Sequence, residues 1–190
     1  MKKIILSIVV MACFLSQINA QVRFGVKGGL NFDNFNCKDV KNELKIGNST
    51  GWQAGVLLQV KVPVIGIGVQ PELLYTVRNA KMPVSQAIGK DVVNTISYLE
   101  VPINLQWGPD LLLLHPYLMV GPYFSYTLNI KGDELKDKID KLDWGIGLGA
   151  GLDIRKLQFG ARYTWGLQDV GVKDFEMKTN SFKVSLGFLF

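Results

Sequence analysis

Apolar and polar residues alternate along this chain in eight separate segments, and this alternation constrains the fold more than any other feature. The C-terminal segment, residues 180–190, shows it without a break. Phe, Val and Leu occupy the even positions from 182 onward, while Ser, Lys and Gly occupy all but the last of the odd positions. A period of two predicts a β-strand with two unlike faces. No run of 18 apolar residues occurs beyond the N-terminus, so helical membrane spans are not predicted.

Seven further segments repeat the alternation, at residues 22–32, 51–62, 64–78, 97–107, 115–128, 144–155 and 157–167. Connections of unequal length join the eight predicted strands. Short turns at Pro63, 108–110 and 155–156 alternate with long polar loops at 33–50, 79–95, 129–143 and 168–180. This order predicts an all-β fold, an eight-stranded antiparallel up-and-down barrel with the long loops at one end. Prolines within strands predict local breaks at Pro71, Pro102, Pro116 and Pro122.

Charged residues indicate which face of the barrel is inside. Within the predicted strands, no charged residue lies on the apolar face. The charged residues on the opposite face are Arg23, Lys27, Lys61, Arg78, Arg155, Arg162, Lys183, Glu72, Glu100 and Asp153. The rest of that face is mostly Gly, Gln, Asn, Ser and Thr. A water-exposed surface would be about 25–35% charged, whereas small and polar residues suit the narrow interior of an eight-stranded barrel. The pattern therefore favours a transmembrane β-barrel over the alternative, a soluble exported lipocalin-like barrel that binds an apolar ligand.

Aromatic residues of the apolar parity concentrate near the long-loop ends of the strands. They are Phe32, Trp52, Tyr75, Tyr126, Trp144, Trp165 and Phe182. Such a row is typical of the aromatic girdle at a membrane interface.

The N-terminal segment has the composition of a secretory signal. Lys2 and Lys3 precede the apolar residues 4–15, and a small-residue site ends at Ala20. The predicted domains are a cleaved signal peptide at 1–20 and a barrel at 21–190. Cys37 would then be the single cysteine of the mature chain, which excludes an internal disulfide.

Residues with catalytic or ligand-binding patterns are scarce. His115 is the single histidine and is interpreted as a turn residue, so no metal site and no catalytic residues are predicted. The glycine row in GIGLGAG keeps strand parity, so it is interpreted as filling the barrel interior rather than binding a nucleotide. No cofactor is expected. Glu72 and Glu100 are expected to anchor a structural ion network, with Arg23 and Arg162 as the favoured partners and with Asp153 and Arg155 also inside.

Several motifs together resemble a known family. GVKGGLNF, QPELLYT, YLEVPINLQW, PYLMVGPYFSY, WGIGLGAGLDI and the aromatic terminus are similar to those of small outer-membrane β-barrel proteins of Bacteroidetes, relatives of the PorT-like barrels. The resemblance implies a fold and an outer-membrane location but no shared activity. Phe190 resembles the terminal signal read by the barrel insertion machinery.

The function predicted is that of a non-enzymatic, porin-like outer-membrane barrel whose lumen is filled by side chains. Its partners are expected to be outer-membrane lipid, the insertion machinery during assembly, and an envelope protein or ligand at the long loops, with no nucleic acid. An outer-membrane enzyme and a small anion pore remain alternatives.

Overall fold

Eight antiparallel strands form a closed barrel in the computed structural model, in which each strand pairs with its neighbour in sequence and β8 returns to β1. The structure describes residues 21–38, 43–62, 66–82, 92–111, 113–131, 142–167 and 176–190. The predicted signal peptide, residues 1–20, lies outside this part of the chain. The strands are β1 Gln21–Lys38, β2 Glu43–Val62, β3 Ile67–Met82, β4 Val92–Trp107, β5 Leu114–Lys131, β6 Leu142–Ile154, β7 Leu157–Gly166 and β8 Glu176–Leu189.

Pairing between the first and last strands closes the sheet. The β1–β8 ladder runs from Gly25↔Leu189 to Lys38↔Glu176. The Phe190 amide extends it by donating to the Phe24 carbonyl at 2.8 Å. Closure pairs the edges of the sheet with each other, which is required where hydrocarbon surrounds the backbone.

Strands at the long-connection end extend further than the sequence predicts. β1 and β2 remain paired out to Lys38↔Glu43, so most of the loop predicted at 33–50 is a hairpin. Likewise β3 and β4 remain paired out to Met82↔Val92. The predicted loop bounds are wrong because polar composition argues against a strand buried in an apolar core but not against backbone pairing in a hairpin. The remaining parts of the four loops, at 39–42, 83–91, 132–141 and 168–175, lie outside the described residues.

A positive φ occurs in two of the short connections. Gly66 precedes β3 with φ 66°, and Arg155 lies between β6 and β7 with φ 54°. The strand ladders are also interrupted next to Pro71, Pro102 and Pro122, whereas the break predicted at Pro116 is wrong because the β5–β6 ladder continues through Pro116↔Leu152. The β2–β3 ladder passes from Leu57↔Glu72 directly to Val60↔Val69, next to Pro71. The β4–β5 ladder passes from Pro102↔Tyr123 to Leu105↔Val120.

The two faces of the barrel differ as the alternation predicts. Large apolar side chains such as Leu118, Leu148 and Leu186 are more than half exposed on the outside, while charged and amide side chains are buried inside. Among the described residues, no helix is long and apolar enough to cross a bilayer. The lipocalin-like alternative is wrong, because the described interior is charged rather than apolar.

Candidate functional site

Among the residues that the structure describes, the barrel interior holds equal numbers of buried cations and buried anions. The cations are Lys27, Lys61, Arg78, Arg162 and Lys183, and the anions are Asp33, Glu72, Glu100, Asp143 and Asp153. The sequence predicted seven inward cations against three anions. It missed Asp33 and Asp143 because both lie one residue beyond the predicted strand ends. Extending those strands with unchanged parity would have placed both residues inside.

Glu100 is the centre of the ion network in the half of the interior nearer the loops. Lys183 reaches it across the barrel from β8, and Arg78 approaches it at 3.4 Å from the neighbouring strand β3. Arg78 also lies 3.7 Å from Asp33. One carboxylate therefore connects three strands, with both of these cations nearly inaccessible to solvent.

Glu72 and Asp153 form the next two ion pairs toward the short turns. Lys27 donates to Glu72 at 2.6 Å, and Arg23 donates to Asp153 at 3.3 Å. The Arg23–Asp153 pair joins β1 to β6, which are not adjacent. The expectation that Arg23 would pair with Glu72 or Glu100 is wrong. Sequence parity predicts that a side chain points inward, but it does not give the position of that side chain along the barrel axis or the strand opposite it.

Arg162 and Arg155 also differ from their predicted roles. Arg162 is buried, but its Nη2 donates to the Gly121 carbonyl at 2.9 Å instead of forming an ion pair with a described carboxylate. A Cβ on Gly147 would collide with the Arg162 guanidinium, so that glycine leaves the space through which Arg162 crosses β6. Arg155 is exposed in the β6–β7 turn and lies outside the interior network.

A closed hydrogen-bonded ring of four amide side chains and the Asp153 carboxylate crosses the barrel near the short turns. Gln59 donates to Asp153 at 3.0 Å and to Gln106 at 2.9 Å. Gln106 donates to Gln70 at 2.9 Å, and Gln70 and Gln158 exchange hydrogen bonds at 3.0 Å. Gln158 completes the ring by donating to Asp153 at 3.0 Å. The five side chains come from β2, β3, β4, β6 and β7, so the ring spans the interior.

The four glycines of β6 make room for large side chains rather than filling space themselves. A Cβ on Gly145 would lie 2.7 Å from the Tyr123 ring, and one on Gly151 would collide with the Tyr117 ring. Tyr123 and Tyr117 are 1% and 4% exposed. The expectation that glycines fill the interior is therefore corrected: they form a groove, and the aromatic rings fill it.

Little free volume remains between the ion pairs. A cavity of about 20 Å³ is bounded by Lys27, Glu72, Glu100, Arg162 and Lys183, among others. A cavity of about 10–15 Å³ is the minimum for one water molecule. The middle of the described interior therefore has room for about one water.

His115 belongs to a polar cluster at the short-turn mouth. It is a buried residue of β5 rather than a turn residue, and its Nδ1 lies 3.2 Å from Asp110 and 3.1 Å from the Pro109 carbonyl. Asp110 also pairs with Lys61. His115 has the parity of the inward residues of β5, and the fold of the β4–β5 connection brings Asp110 to it.

All seven residues of the predicted aromatic girdle are exposed on the outer surface. Phe32 packs against Phe182 at 6.4 Å and Trp52 against Tyr75 at 5.7 Å between ring centroids. A second group of outward aromatics lies near the short turns and was not part of the predicted girdle. Its members are Phe24, Trp107, Phe159, Phe188 and Phe190.

An apolar exterior around a charged, side-chain-filled interior defines a transmembrane β-barrel. The chain belongs to the family described as outer membrane protein beta-barrel domain, whose model matches residues 15–171.

Solved structures support this fold. The attachment invasion locus protein Ail of Yersinia pestis is 13% identical, with a TM-score of 0.50 over 90% of this chain and 99% of Ail. Neisserial surface protein A is 10% identical, with a TM-score of 0.52 over 88% of this chain and 97% of its own. A comparison with curated proteins finds no match. The protein is an outer-membrane protein of a Gram-negative bacterium.

Proposed function

We propose that this protein is a non-enzymatic outer-membrane barrel with a closed lumen, whose role in the envelope is structural or depends on binding through its loops. The observation that carries this proposal is the hydrogen-bonded ring of Asp153, Gln59, Gln106, Gln70 and Gln158. These side chains come from five strands and meet across the interior near the short turns of an eight-stranded barrel, which is just wide enough for side chains to fill.

The interior carboxylates also support a structural role. Glu72, Glu100 and Asp153 are at most 5% exposed, and each is in an ion pair. A general acid or base has to come within hydrogen-bonding reach of its substrate. These three groups are enclosed by the barrel wall and by their partners, so we assign them to stability rather than catalysis.

Planar-bilayer recording tests the closed lumen. Purified wild-type protein is expected to give no steady conductance, because the ring and the ion pairs leave no continuous aqueous path. A porin reconstituted in the same bilayers is the positive control. Steady, anion-selective conductance from the wild-type barrel would contradict the proposal and favour the small anion pore instead.

The binding role is assigned to the long connections, which contain residues 39–42, 83–91, 132–141 and 168–175. Loops on a rigid scaffold are the usual place for binding residues. A photo-crosslinking amino acid within 83–91 is expected to capture a discrete envelope partner in intact cells. The same probe at Leu148, which faces outward in the middle of β6, is the control and should capture none. Identical products at both positions would contradict a loop-specific partner.

We also infer that the chain is of the Bacteroidetes type, related to the PorT-like barrels, on the motifs quoted above. Its assembly partner would be the barrel insertion machinery, with Phe190 as a recognised residue of the closing strand. The support is the position of Phe190: its amide donates to β1, while its ring is 68% exposed.

A further inference from the structure

A pocket at the short-turn mouth of the barrel combines cations with exposed leucines. It has a volume of about 150 Å³. Its lining includes Arg23, Lys61 and Arg155, and also Leu111, Leu113 and Leu114. Because about 10–15 Å³ suffices for one water, this volume accommodates a group of several heavy atoms.

The cations of the pocket exceed its anions by one. Lys61 is paired with Asp110 and Arg23 with Asp153. Arg155 is exposed and has no carboxylate partner among the residues that the structure describes. Its guanidinium is therefore available to an anion, and Arg is the side chain best suited to bind phosphate through two parallel hydrogen bonds.

The backbone at Arg155 provides independent support. Arg155 has φ 54°, a left-handed conformation that Gly and Asn adopt more easily than Arg. Strained positions of this kind are enriched at functional sites. The Arg155 carbonyl also accepts a hydrogen bond from Arg23 Nη1 at 3.3 Å, which links the two arginines at the pocket.

The leucines form the apolar side of the pocket. Leu111 and Leu113 are 55% and 57% exposed, and Leu114 is 40% exposed. A tight turn holds them in place, because the amide of Leu111 donates to Leu114 and the amide of Leu114 donates to Leu111. Nearby Trp107 and Phe24 are also more than 60% exposed, so this rim is continuous with the lipid-facing surface of the barrel.

We propose that the short-turn mouth binds the phosphate headgroup of an anionic phospholipid, with Arg155 as the anion ligand and Leu113 in contact with the apolar part of the lipid. A phosphate group joined to hydrocarbon matches a pocket that is cationic on one side and apolar on the other. This site is separate from the loop-end binding role proposed above, and neither depends on the other.

Native mass spectrometry of the purified, folded barrel tests the site. Separate detergent samples receive phosphatidylglycerol, phosphatidylcholine or inorganic phosphate. The wild-type protein is expected to retain phosphatidylglycerol several-fold more than phosphatidylcholine. Arg155→Gln should lose most of this preference. Arg155→Gly should lose it as well, and it removes the backbone strain, so its folding is not compromised.

Lys156→Gln is the matched control. Lys156 is the other cation of the same turn but points to the outer surface, where its Nζ lies 6.0 Å from the Phe188 ring centroid. We expect this variant to retain phosphatidylglycerol like the wild type. An equal loss from Lys156→Gln would show diffuse surface charge and overturn the proposal, as would full retention by both Arg155 variants.

Leu113→Asn distinguishes a lipid from a free anion. It should weaken phosphatidylglycerol retention several-fold and leave that of inorganic phosphate unchanged. If inorganic phosphate is retained as well as the lipid and Leu113→Asn has no effect, the site takes a free anion and the lipid assignment is wrong.

Discussion

Individual residues in this barrel are constrained mainly by what lies opposite them inside. Gly151 faces the buried ring of Tyr117, whereas Gly187, also inward, would place a Cβ in ordinary contact with Gln158 at 3.4 Å. Glu100 holds two cations that solvent does not reach. Small changes at such positions therefore have costs that hydropathy alone does not indicate.

Gly151→Ala is expected to destabilise the barrel by about 1–3 kcal/mol, the usual cost of overpacking a filled interior. Tyr117 has little space to move, because it is 4% exposed. Reversible urea unfolding in lipid vesicles gives the free energy of unfolding. Gly187→Ala, on the same face, is the control and should change it little. Equal losses in the two variants would show that the glycine groove has no special role.

Glu100→Gln is expected to cost about 3–5 kcal/mol, since removing one partner of a buried ion pair leaves the other charge uncompensated. Lys183 would lose its carboxylate, and Arg78 would keep only Asp33, 3.7 Å away. Adding Lys183→Met should recover part of the loss, because one stranded cation is removed. The same unfolding measurement in vesicles checks both variants. A double mutant no more stable than Glu100→Gln would contradict the assignment of Lys183 as its partner.

At the scale of strands and turns, the connections define two unlike ends. Three short connections close one end, and at the other the paired strands extend well beyond the lipid-facing aromatic row. This asymmetry is typical of outer-membrane barrels, whose short turns face the periplasm.

Labelling of Cys37, which lies in the β1–β2 hairpin, tests the orientation of the barrel in the outer membrane. An impermeant maleimide is expected to label it in intact cells, because short turns that face the periplasm place the opposite end outside. A Cys37→Ser, Leu113→Cys variant moves the thiol to the opposite end and should be labelled only after lysis. The reverse pattern would mean that the orientation is inverted.

The last strand closes the barrel and carries the predicted assembly signal. Phe190→Ser is expected to lower the amount of folded protein in the outer membrane, measured by heat-modifiable gel mobility. Phe159→Ser is the control, since Phe159 is also an outward aromatic near the short turns but does not belong to the closing strand. If both variants accumulate equally, recognition of Phe190 is not needed.

For the whole molecule, strand pairing predicts a gradient of stability along the barrel axis. From Trp52 to Val62, β2 lies between two paired strands, β1 and β3. The β2–β3 ladder ends at Trp52↔Val77, whereas the β1–β2 ladder continues to Lys38↔Glu43, so residues 43–49 are paired on one edge with β1 only. Amides with fewer surrounding contacts open more readily.

Hydrogen exchange measured by mass spectrometry is therefore expected to be faster at residues 43–49 than at 53–62 of the same strand. The two segments have the same β1 partner and differ in the second neighbour, so each serves as a control for the other. Uniform protection along β2 would show that the end beyond the bilayer is as stable as the barrel.

The amino-acid sequence by itself determined the fold class, the strand count and the two faces. Period-two alternation is a local property, and a charged residue such as Glu100 or Lys183 has one face on which it can be buried with partners. Strand parity therefore identified the interior, and the outward positions of Trp52 and Phe182, without any three-dimensional information.

Tertiary structure alone decided which interior residues meet. The register between neighbouring strands of the closed sheet sets the position of each side chain along the barrel axis. Arg23 therefore faces Asp153 rather than Glu72. The glycine groove of β6 directs Arg162 to the Gly121 carbonyl. The β4–β5 turn brings Asp110 to Lys61 and His115. These contacts join residues far apart in the chain, and their relative heights depend on the closure of all eight strands, which local sequence patterns do not encode.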